Sequence, residues 1–295
     1  MEQADYSLIA GAAVFMTVLG VLLAGVLAVA NKYLWVYEDP RINEVEELLP
    51  ATNCGACGQA GCHPFAEALI AGDVTPSECT VSSGEAIEDI AEYLGVEAGE
   101  TQKRIAYLAC AGGAHVAHMR SRYSGLESCR AAALVAGGPK SCNWGCLGLA
   151  DCADVCDFNS ITMNKHWLPV VDAESCTACG DCVDICPKNL FSIHPVSHRL
   201  WVACANLLAN EEAEADCEVA CNACERCAVD SPEGLIEIRN NLAVINYDKN
   251  ELASPVAIER CPTGAIVWLD AVNQVRKGKK AKRIIRTSSL PIRHG

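Results

Sequence analysis

The longest apolar stretch of the chain, Ser7–Ala30, contains 24 residues and no charge. A helix of this length can cross the hydrocarbon core of a bilayer. A cleaved signal peptide is the alternative, and residues 28–30 resemble a cleavage site. However, Glu2 and Asp5 stand where a signal peptide carries Lys or Arg, and the stretch is too long for a signal-peptide core. We therefore predict a retained membrane anchor over residues 1–34.

The charges around this stretch predict its orientation. Lys32 and Arg41 follow it, whereas its N-terminal flank is acidic. The positive-inside rule then places the bulk of the chain in the cytoplasm. A cytoplasmic location agrees with the 20 cysteines, because free thiols persist in a reducing compartment.

Shorter hydrophobic patterns predict secondary structure beyond the anchor. Apolar positions over 65–70 and 86–94 recur at helical spacing, so we expect two small helices there. The apolar runs 168–171 and 242–245 are short enough for strands. These elements predict an α+β protein.

The sharpest motif is a ladder of four cysteines followed by Pro187: Cys176, Cys179, Cys182 and Cys186. Its spacing, C-x2-C-x2-C-x3-C-P, is that of bacterial ferredoxins, in which thiolates hold iron–sulfur clusters and the fourth cysteine reaches the other cluster. Zinc sites prefer two separated C-x2-C pairs. Disulfide frameworks are typical of small secreted proteins, whereas this chain has 295 residues. The ladder therefore predicts iron–sulfur clusters.

A second motif, C-x2-C-x4-C followed by a later cysteine, gives a complete set of four ligands: Cys54, Cys57, Cys62 and Cys79. Three glycines between them are predicted to form tight turns with positive φ: Gly55, Gly58 and Gly61. This segment predicts one cluster in a small helical domain.

Another ladder precedes the sharpest one and contains Cys142, Cys146, Cys152 and Cys156. In a two-cluster ferredoxin, three cysteines of each ladder share a cluster with the last cysteine of the other. This rule groups Cys142, Cys146 and Cys152 with Cys186. It groups Cys176, Cys179 and Cys182 with Cys156. The spacing around Cys142 is not standard, so whether Cys142 is a ligand stays open.

The third cysteine region repeats the theme in a degenerate form. Cys221, Cys224 and Cys227 are followed by Ser231 at the place of a fourth cysteine, and Cys261-Pro262 ends a further ladder. Counting back from Cys261, the three leading positions hold Glu251, Ser254 and Ala257. One complete ligand set is thus absent. We predict a single cluster here, held by Cys221, Cys224, Cys227 and Cys261.

Four cysteines remain outside these sets: Cys110, Cys129, Cys204 and Cys217. Cys110 and Cys129 could be ordinary buried thiols. Cys217 occupies the position in the second unit that Cys142 occupies in the first, so one of the two pairs of unusual positions could be a ligand in an arrangement that spacing does not reveal. The spacing predicts about four [4Fe–4S] clusters.

The expected architecture has six parts along the chain. They are the transmembrane anchor (1–34), a 4Fe–4S domain (35–96), a connecting segment (97–139), a two-cluster ferredoxin-like unit (140–200), a degenerate one-cluster unit (201–272) and a basic tail (273–295). Within both ferredoxin-like units we expect short helices after the Cys-Pro turns.

The net charge of −14 argues against nucleic-acid binding. Residues 276–293 oppose this charge with eight Lys and Arg, which predicts a disordered basic tail. The tail is either merely solvated or contacts anionic lipid or an acidic ferredoxin. No Gly-rich nucleotide loop and no acid–base constellation is present, so we expect neither NAD nor ATP binding and no catalytic side chains.

The anchor, the module at Cys54 and the serial ladders together resemble the B component of Rnf complexes. The segments NCGACGQAGC, GGPKSCNWGCLGLADC and CTACGDCVDICPK carry most of the resemblance. It implies an iron–sulfur subunit of a ferredoxin:NAD oxidoreductase that couples electron flow to sodium or proton movement. It also implies soluble ferredoxin or flavodoxin as donor, membrane and NAD- or flavin-binding subunits as partners, and a prokaryotic inner membrane.

Two other functions fit parts of the pattern. A membrane-anchored iron–sulfur subunit could feed a different reductase or a quinone. A zinc-binding docking scaffold is the alternative outside redox chemistry, and it predicts zinc without redox activity.

Overall fold

The computed structural model describes residues 2–34, 39–99, 102–270 and 274–293. Its first element is helix α1, Glu2–Leu34, which contains the predicted apolar segment. The segment Ala10–Leu34 is long and apolar enough to cross a membrane, and its most apolar stretch is not buried by other parts of the protein. The exposed apolar surface of this helix suits a hydrocarbon environment.

Short helices and strands make up the rest of the chain. The helices are α2 Pro40–Leu48, α3 Cys62–Ala71, α4 Gly84–Leu94, α5 Cys129–Leu134, α6 Asp151–Asp154, α7 Asp181–Ile185, α8 Asn210–Asp216 and α9 Arg226–Val229, with 3-10 turns at Pro76–Glu78, Tyr247–Leu252 and Pro255–Ile258. The strands are β1 Arg104–Leu108, β2 Ile161–Met163, β3 Pro169–Val171, β4 Phe191–Pro195, β5 Leu200–Val202, β6 Ile236–Arg239, β7 Leu242–Ile245, β8 Ile266–Leu269 and β9 Val275–Arg276.

Helices α2, α3 and α4 form a small module with its own core. Val45, Phe65 and Ile90 are at most 1% exposed and pack together in this core. The Ser83 side chain caps α4 by accepting a hydrogen bond from the Ala86 amide. The two helices predicted from apolar spacing, α3 and α4, are therefore confirmed.

Phe65 should be the main apolar contact that stabilises this module. We expect Phe65→Ala to lower local stability by about 3–5 kcal/mol, because the buried ring leaves a cavity. Hydrogen exchange of peptides from α3 measures the loss. Leu48→Ala is the matched control, since Leu48 is 37% exposed and should cost less than about 1 kcal/mol. Equal losses in both variants would contradict this assignment of the core.

The remainder of the chain contains two units with the same topology. In the first, β1 pairs antiparallel with β4, and β2 pairs with β3. In the second, β5 pairs with β8, and β6 pairs with β7. The units pack together where the Trp201 indole donates a hydrogen bond to the Leu108 carbonyl at 3.0 Å. Segment 97–139 was predicted only to connect, but it supplies β1 to the first unit.

The prediction of helices after the Cys-Pro turns is wrong. Helix α7 ends just before Cys186-Pro187, and the 3-10 turn at Pro255–Ile258 lies before Cys261-Pro262. The chain then continues into β4 and β8. Proline disfavours the helical conformation of the residue before it, so α7 ends and Cys186 is extended. No helix follows because the next residues pair as strands, β4 with β1 and β8 with β5.

Residues 274–293 of the basic tail are ordered against the body, contrary to the prediction of disorder. The Lys280 and Lys282 amides donate to backbone carbonyls near Cys261. The Arg286 guanidinium donates to the His115 carbonyl at 2.8 Å and lies 3.3 Å from a Glu218 oxygen. The acidic body thus supplies carboxylate and carbonyl partners that composition alone did not place.

Candidate iron–sulfur centres

The first site is formed by Cys54, Cys57, Cys62 and Cys79. These side chains line one cavity of about 290 Å³ beside Phe65. The Ser82 hydroxyl donates a hydrogen bond to the Cys79 sulfur at 3.1 Å. Burial raises the pKa of the Cys57 thiol. The structure therefore brings together the four cysteines grouped by the C-x2-C-x4-C motif.

The glycines of this loop serve two purposes. Gly55 and Gly58 have positive φ, as predicted. Gly61 is extended instead, with φ at 168°. A side chain at Gly61 would come within 2.7 Å of the Asn53 oxygen. That oxygen accepts a hydrogen bond from the Cys62 amide at 2.8 Å, so Gly61 provides space for this contact.

The three ladder loops share one backbone conformation. Residues two and four positions after the first cysteine have positive φ in each loop. These pairs are Ala178 and Gly180 after Cys176, Ala223 and Glu225 after Cys221, and Gly148 and Ala150 after Cys146. The repeated conformation turns the loop backbone around a common centre. It also shows that Cys146, and not Cys142, begins the earlier ladder.

The second site is formed by Cys156, Cys176, Cys179 and Cys182. Burial raises the pKa of Cys182 to about 12, and electrostatic interaction with Cys179, Cys176 and Cys156 adds to this shift. Cys156 and Cys176 pack at the same apolar cluster as Cys182. The placement agrees with the grouping expected for two crossed ladders.

The third site contains an unexpected member. Cys146, Cys152 and Cys186 line a cavity of about 340 Å³ together with Cys129. In the shared loop conformation, Leu149 takes the place of the second ladder cysteine. Cys129, at the start of α5, fills the ligand position that Leu149 leaves. Asp151 fixes this turn, since its carboxylate accepts from the Cys129 amide at 2.8 Å.

Cys142 lies in a different cavity from the one predicted. This central cavity is lined by Cys110, Cys142, Cys204 and Cys217. It therefore collects Cys142 and three of the cysteines that spacing left over. Sequence contained one signal for this outcome, because ladder positions counted from Cys146 fall on Leu149, Cys152 and Cys156 and leave Cys142 outside.

The fourth site is formed by Cys221, Cys224, Cys227 and Cys261. They line a cavity of about 340 Å³. Cys224 is exposed, whereas the other three are buried. Burial raises the pKa of Cys227 to about 12. This site has the same position in the second unit as the third site has in the first.

Side chains fill the space of the ligand set that the second unit lacks. Ala257 and Ile258 belong to the main core of the unit and are at most 2% exposed. The Ser231 hydroxyl donates to the Cys227 carbonyl at 2.7 Å. Packing and hydrogen bonding thus replace the thiols, in agreement with one predicted cluster in this unit.

The donor sets fit iron–sulfur clusters. All twenty cysteines are free, and soft thiolates prefer iron–sulfur clusters, zinc or copper(I). Within the described ranges, no three His, Cys, Asp or Glu side chains are arranged to hold a single metal ion. The cysteine sets instead surround cavities. A [4Fe–4S] cluster in such a site supplies one-electron transfer.

Comparisons with known families agree with this chemistry. Residues 49–81 match the family described as "Putative Fe-S cluster", and residues 168–191 match the family described as "4Fe-4S binding domain". Serial cysteine sites behind an N-terminal apolar helix define an iron–sulfur electron-transfer protein.

Three relatives cover most of the chain, and each is the B component of an ion-translocating complex. The one from the Na⁺-translocating ferredoxin:NAD⁺ oxidoreductase complex of Acetobacterium woodii is 36% identical over 84% of this chain and 74% of that protein. The one from the ion-translocating oxidoreductase complex of Methanosarcina acetivorans is 34% identical over 84% of this chain and 94% of its own length. The one from the proton-translocating ferredoxin:NAD⁺ oxidoreductase complex of Clostridium ljungdahlii is 36% identical over 86% of this chain and 90% of that protein.

The chain therefore belongs to the family of B components of Rnf-type ion-translocating oxidoreductase complexes. It is an iron–sulfur electron-transfer subunit of a membrane complex and binds multiple [4Fe–4S] clusters. Its partners include the other subunits of that complex.

Proposed function

We propose that the chain accepts electrons from reduced ferredoxin or flavodoxin at the fourth site and passes them through the other sites toward flavin- and NAD-binding subunits. In the complex, this flow is coupled to sodium or proton translocation. The observation that carries the proposal is a row of neighbouring cysteine sites. It runs from the second ferredoxin-like unit, through the first, to the helical module of α2, α3 and α4.

Contacts between neighbouring sites support this path. The Thr80 hydroxyl, next to Cys79 of the first site, donates to the Thr177 carbonyl, next to Cys176 of the second site, at 2.5 Å. Cys182 of the second site and Cys152 of the third site pack in one apolar cluster. The first site is the one nearest in sequence to the anchor, so electrons would leave toward membrane partners.

A basic groove beside the fourth site suits an acidic donor. The groove has an empty volume of about 990 Å³, and its charged lining residues are Lys277, Lys279, Lys282 and Arg283. Lys277 lies close enough to Cys217 and Cys261 to interact with their charges, and the Lys282 amide donates to the Pro262 carbonyl at 2.8 Å beside Cys261. The remainder of the chain is acidic, so this groove would steer a negatively charged ferredoxin toward the side of the fourth site that carries Cys261.

The orientation of the chain follows from the same proposal. A cytoplasmic ferredoxin can reach the fourth site only if the units after α1 lie in the cytoplasm. Lys32 in the last turn of α1 agrees with that orientation under the positive-inside rule.

Charge reversal in the groove tests the donor. Lys279→Glu with Arg283→Glu should slow reduction by ferredoxin about tenfold at low salt, because electrostatic attraction raises association rates. The difference should vanish at high ionic strength. Stopped-flow measurement of cluster reduction provides the rates, with an acidic ferredoxin as donor.

Arg122→Glu with Arg130→Glu is the matched control, since both side chains are exposed and lie outside the groove. Equal slowing in the control would contradict docking at the groove. Reduction by a quinol but not by ferredoxin or flavodoxin would instead favour a subunit that serves a different reductase.

A further inference from the structure

We propose that Cys110, Cys142, Cys204 and Cys217 hold a fifth [4Fe–4S] cluster between the two ferredoxin-like units. The central cavity that they line has an empty volume of about 320 Å³. The cavities of the first, third and fourth sites measure about 290, 340 and 340 Å³. Four thiols therefore surround a space of similar size in each case.

The four cysteines occupy equivalent positions in the two units. Cys142 and Cys217 each lie four residues before the first cysteine of a ladder. Cys110 and Cys204 each lie two residues after the end of a strand, β1 in the first unit and β5 in the second. Each unit thus contributes one pair of thiols, and the paired arrangement is not expected of unrelated buried cysteines.

Gly112 leaves room for sulfurs from both units to approach each other. A Cβ at this position would lie 3.1 Å from the Cys217 sulfur and 3.6 Å from the Cys110 sulfur. Both thiols therefore lie within contact distance of one backbone position. Any side chain here would compete with a group bound between them.

Backbone amides point at the sulfurs as they do in the other sites. The Asn206 amide donates to Cys204 at 3.4 Å. Burial raises the pKa values of the Cys142 and Cys217 thiols, and backbone hydrogen bonds from Trp144 and Val219 partly offset that rise. Each donor lies two residues after its cysteine. The same spacing holds in the third and fourth sites, where the Gly148 backbone hydrogen-bonds to Cys146 and the Ala223 backbone to Cys221. Such hydrogen bonds to sulfur stabilise a cluster and tune its potential.

Two further groups are suited to a negatively charged cluster. Asn206 is 1% exposed, and its Nδ2 finds no hydrogen-bond partner among the described residues. Its Oδ1 accepts from the Leu208 amide, which fixes the side chain at the cavity wall. Lys140 is 5% exposed and donates to the Gly112 carbonyl at 2.6 Å. A buried amide donor requires a hydrogen-bond acceptor, and a buried cation requires a negative partner. Bound sulfide and thiolate would supply both.

The location gives the fifth cluster a role in the relay proposed above, on which this role rests. The Cys146 amide of the third site donates to the Cys110 sulfur at 3.4 Å. The Cys221 amide of the fourth site donates to the Cys204 sulfur at 3.2 Å. The central site is thus one hydrogen bond away from a ligand residue on either side. It would join the second unit to the first.

Iron and sulfide content of the anaerobically purified full chain tests the site directly. We expect about twenty iron atoms per chain, and a loss of about four in Cys204→Ser with Cys217→Ser. Cys224→Ser with Cys227→Ser calibrates the loss of one complete set. About sixteen iron atoms in the wild type, with no loss in the Cys204 and Cys217 variant, would overturn the proposal. Zinc that disappears in that variant would also overturn it.

A second variant keeps all four thiols and guards against misfolding. Asn206→Leu should retain the wild-type iron content and shift the midpoint potential of one cluster to a more negative value, because it removes a donor near the cluster. Unchanged potentials for every cluster would contradict the position assigned to Asn206.

The bridging role needs a separate measurement. After the Cys204 and Cys217 variant is mixed with reduced ferredoxin, the cluster of the fourth site should be reduced rapidly. The clusters of the first, second and third sites should no longer be reduced in the rapid phase. Loss of iron without loss of that phase would leave the site correct and the bridge wrong. If the iron content is as expected but ferredoxin reduces none of the clusters, the proposed donor would be contradicted instead.

Discussion

Replacing both Cys129 and Cys146 by alanine should remove no more iron than replacing either alone, about four atoms per chain. The two side chains line the same cavity, so the second substitution acts on a site that the first has already emptied. The effects of two substitutions do not add when both residues belong to the same site. Replacing both Cys142 and Cys146 should remove about eight iron atoms, because these residues line different cavities.

Iron content and EPR of the reduced full chain measure both outcomes. Cys179→Ala with Cys182→Ala serves as the matched control, since both thiols belong to the second site and should cost only one cluster. No loss of iron on replacing Cys129 alone, together with a loss of only about four atoms for Cys142 with Cys146, would restore the grouping expected from the ladder spacing.

Deletion of residues 1–34 should move nearly all of the protein from the membrane fraction to the soluble fraction. Ala10–Leu34 has a mean hydropathy of 2.6, and its most apolar stretch is not buried by the remainder of the protein. Helices of this length and composition favour the bilayer strongly, since each central Leu, Ile, Phe or Val contributes about 0.3–0.6 kcal/mol. The sites lie in the units after α1, so the soluble protein should keep its iron.

Deletion of 274–293 is the informative comparison for this experiment. The tail contacts Glu218 and Glu259 of the body, and we expect α1 alone to hold the protein in the membrane. Removal of the tail should therefore leave the protein in the membrane fraction. Release on loss of the tail would mean that anionic lipid, and not the apolar helix, holds the chain at the membrane. Fractionation followed by immunoblotting distinguishes these results.

Regular spacing allowed three sites to be predicted from sequence. Cys54, Cys176 and Cys221 each begin a motif in which most ligands lie within ten residues. The local chain then fixes which thiols face each other. Helices α3 and α4 and strand β7 were predictable for a similar reason, because each has a clear hydrophobic pattern over consecutive residues.

Long-range contacts could not be predicted in the same way. Cys129 joins Cys146 and Cys152 through a turn fixed by Asp151, and no local spacing encodes that contact. Strands β1 and β4 pair although most of the sequence of the first unit lies between them. The order of the tail depends on carbonyls and carboxylates of distant segments, whereas its composition alone predicts disorder.

The shared central cavity has a consequence for maturation of the protein. The first site is complete in the chain at residue 79, the second at residue 182 and the third at residue 186. The central cavity needs Cys110 and Cys142 from one unit together with Cys204 and Cys217 from the other. During synthesis the first unit must therefore wait with two uncommitted thiols until residue 217 has emerged. A chain truncated between the units would keep these thiols permanently, and they would be open to oxidation.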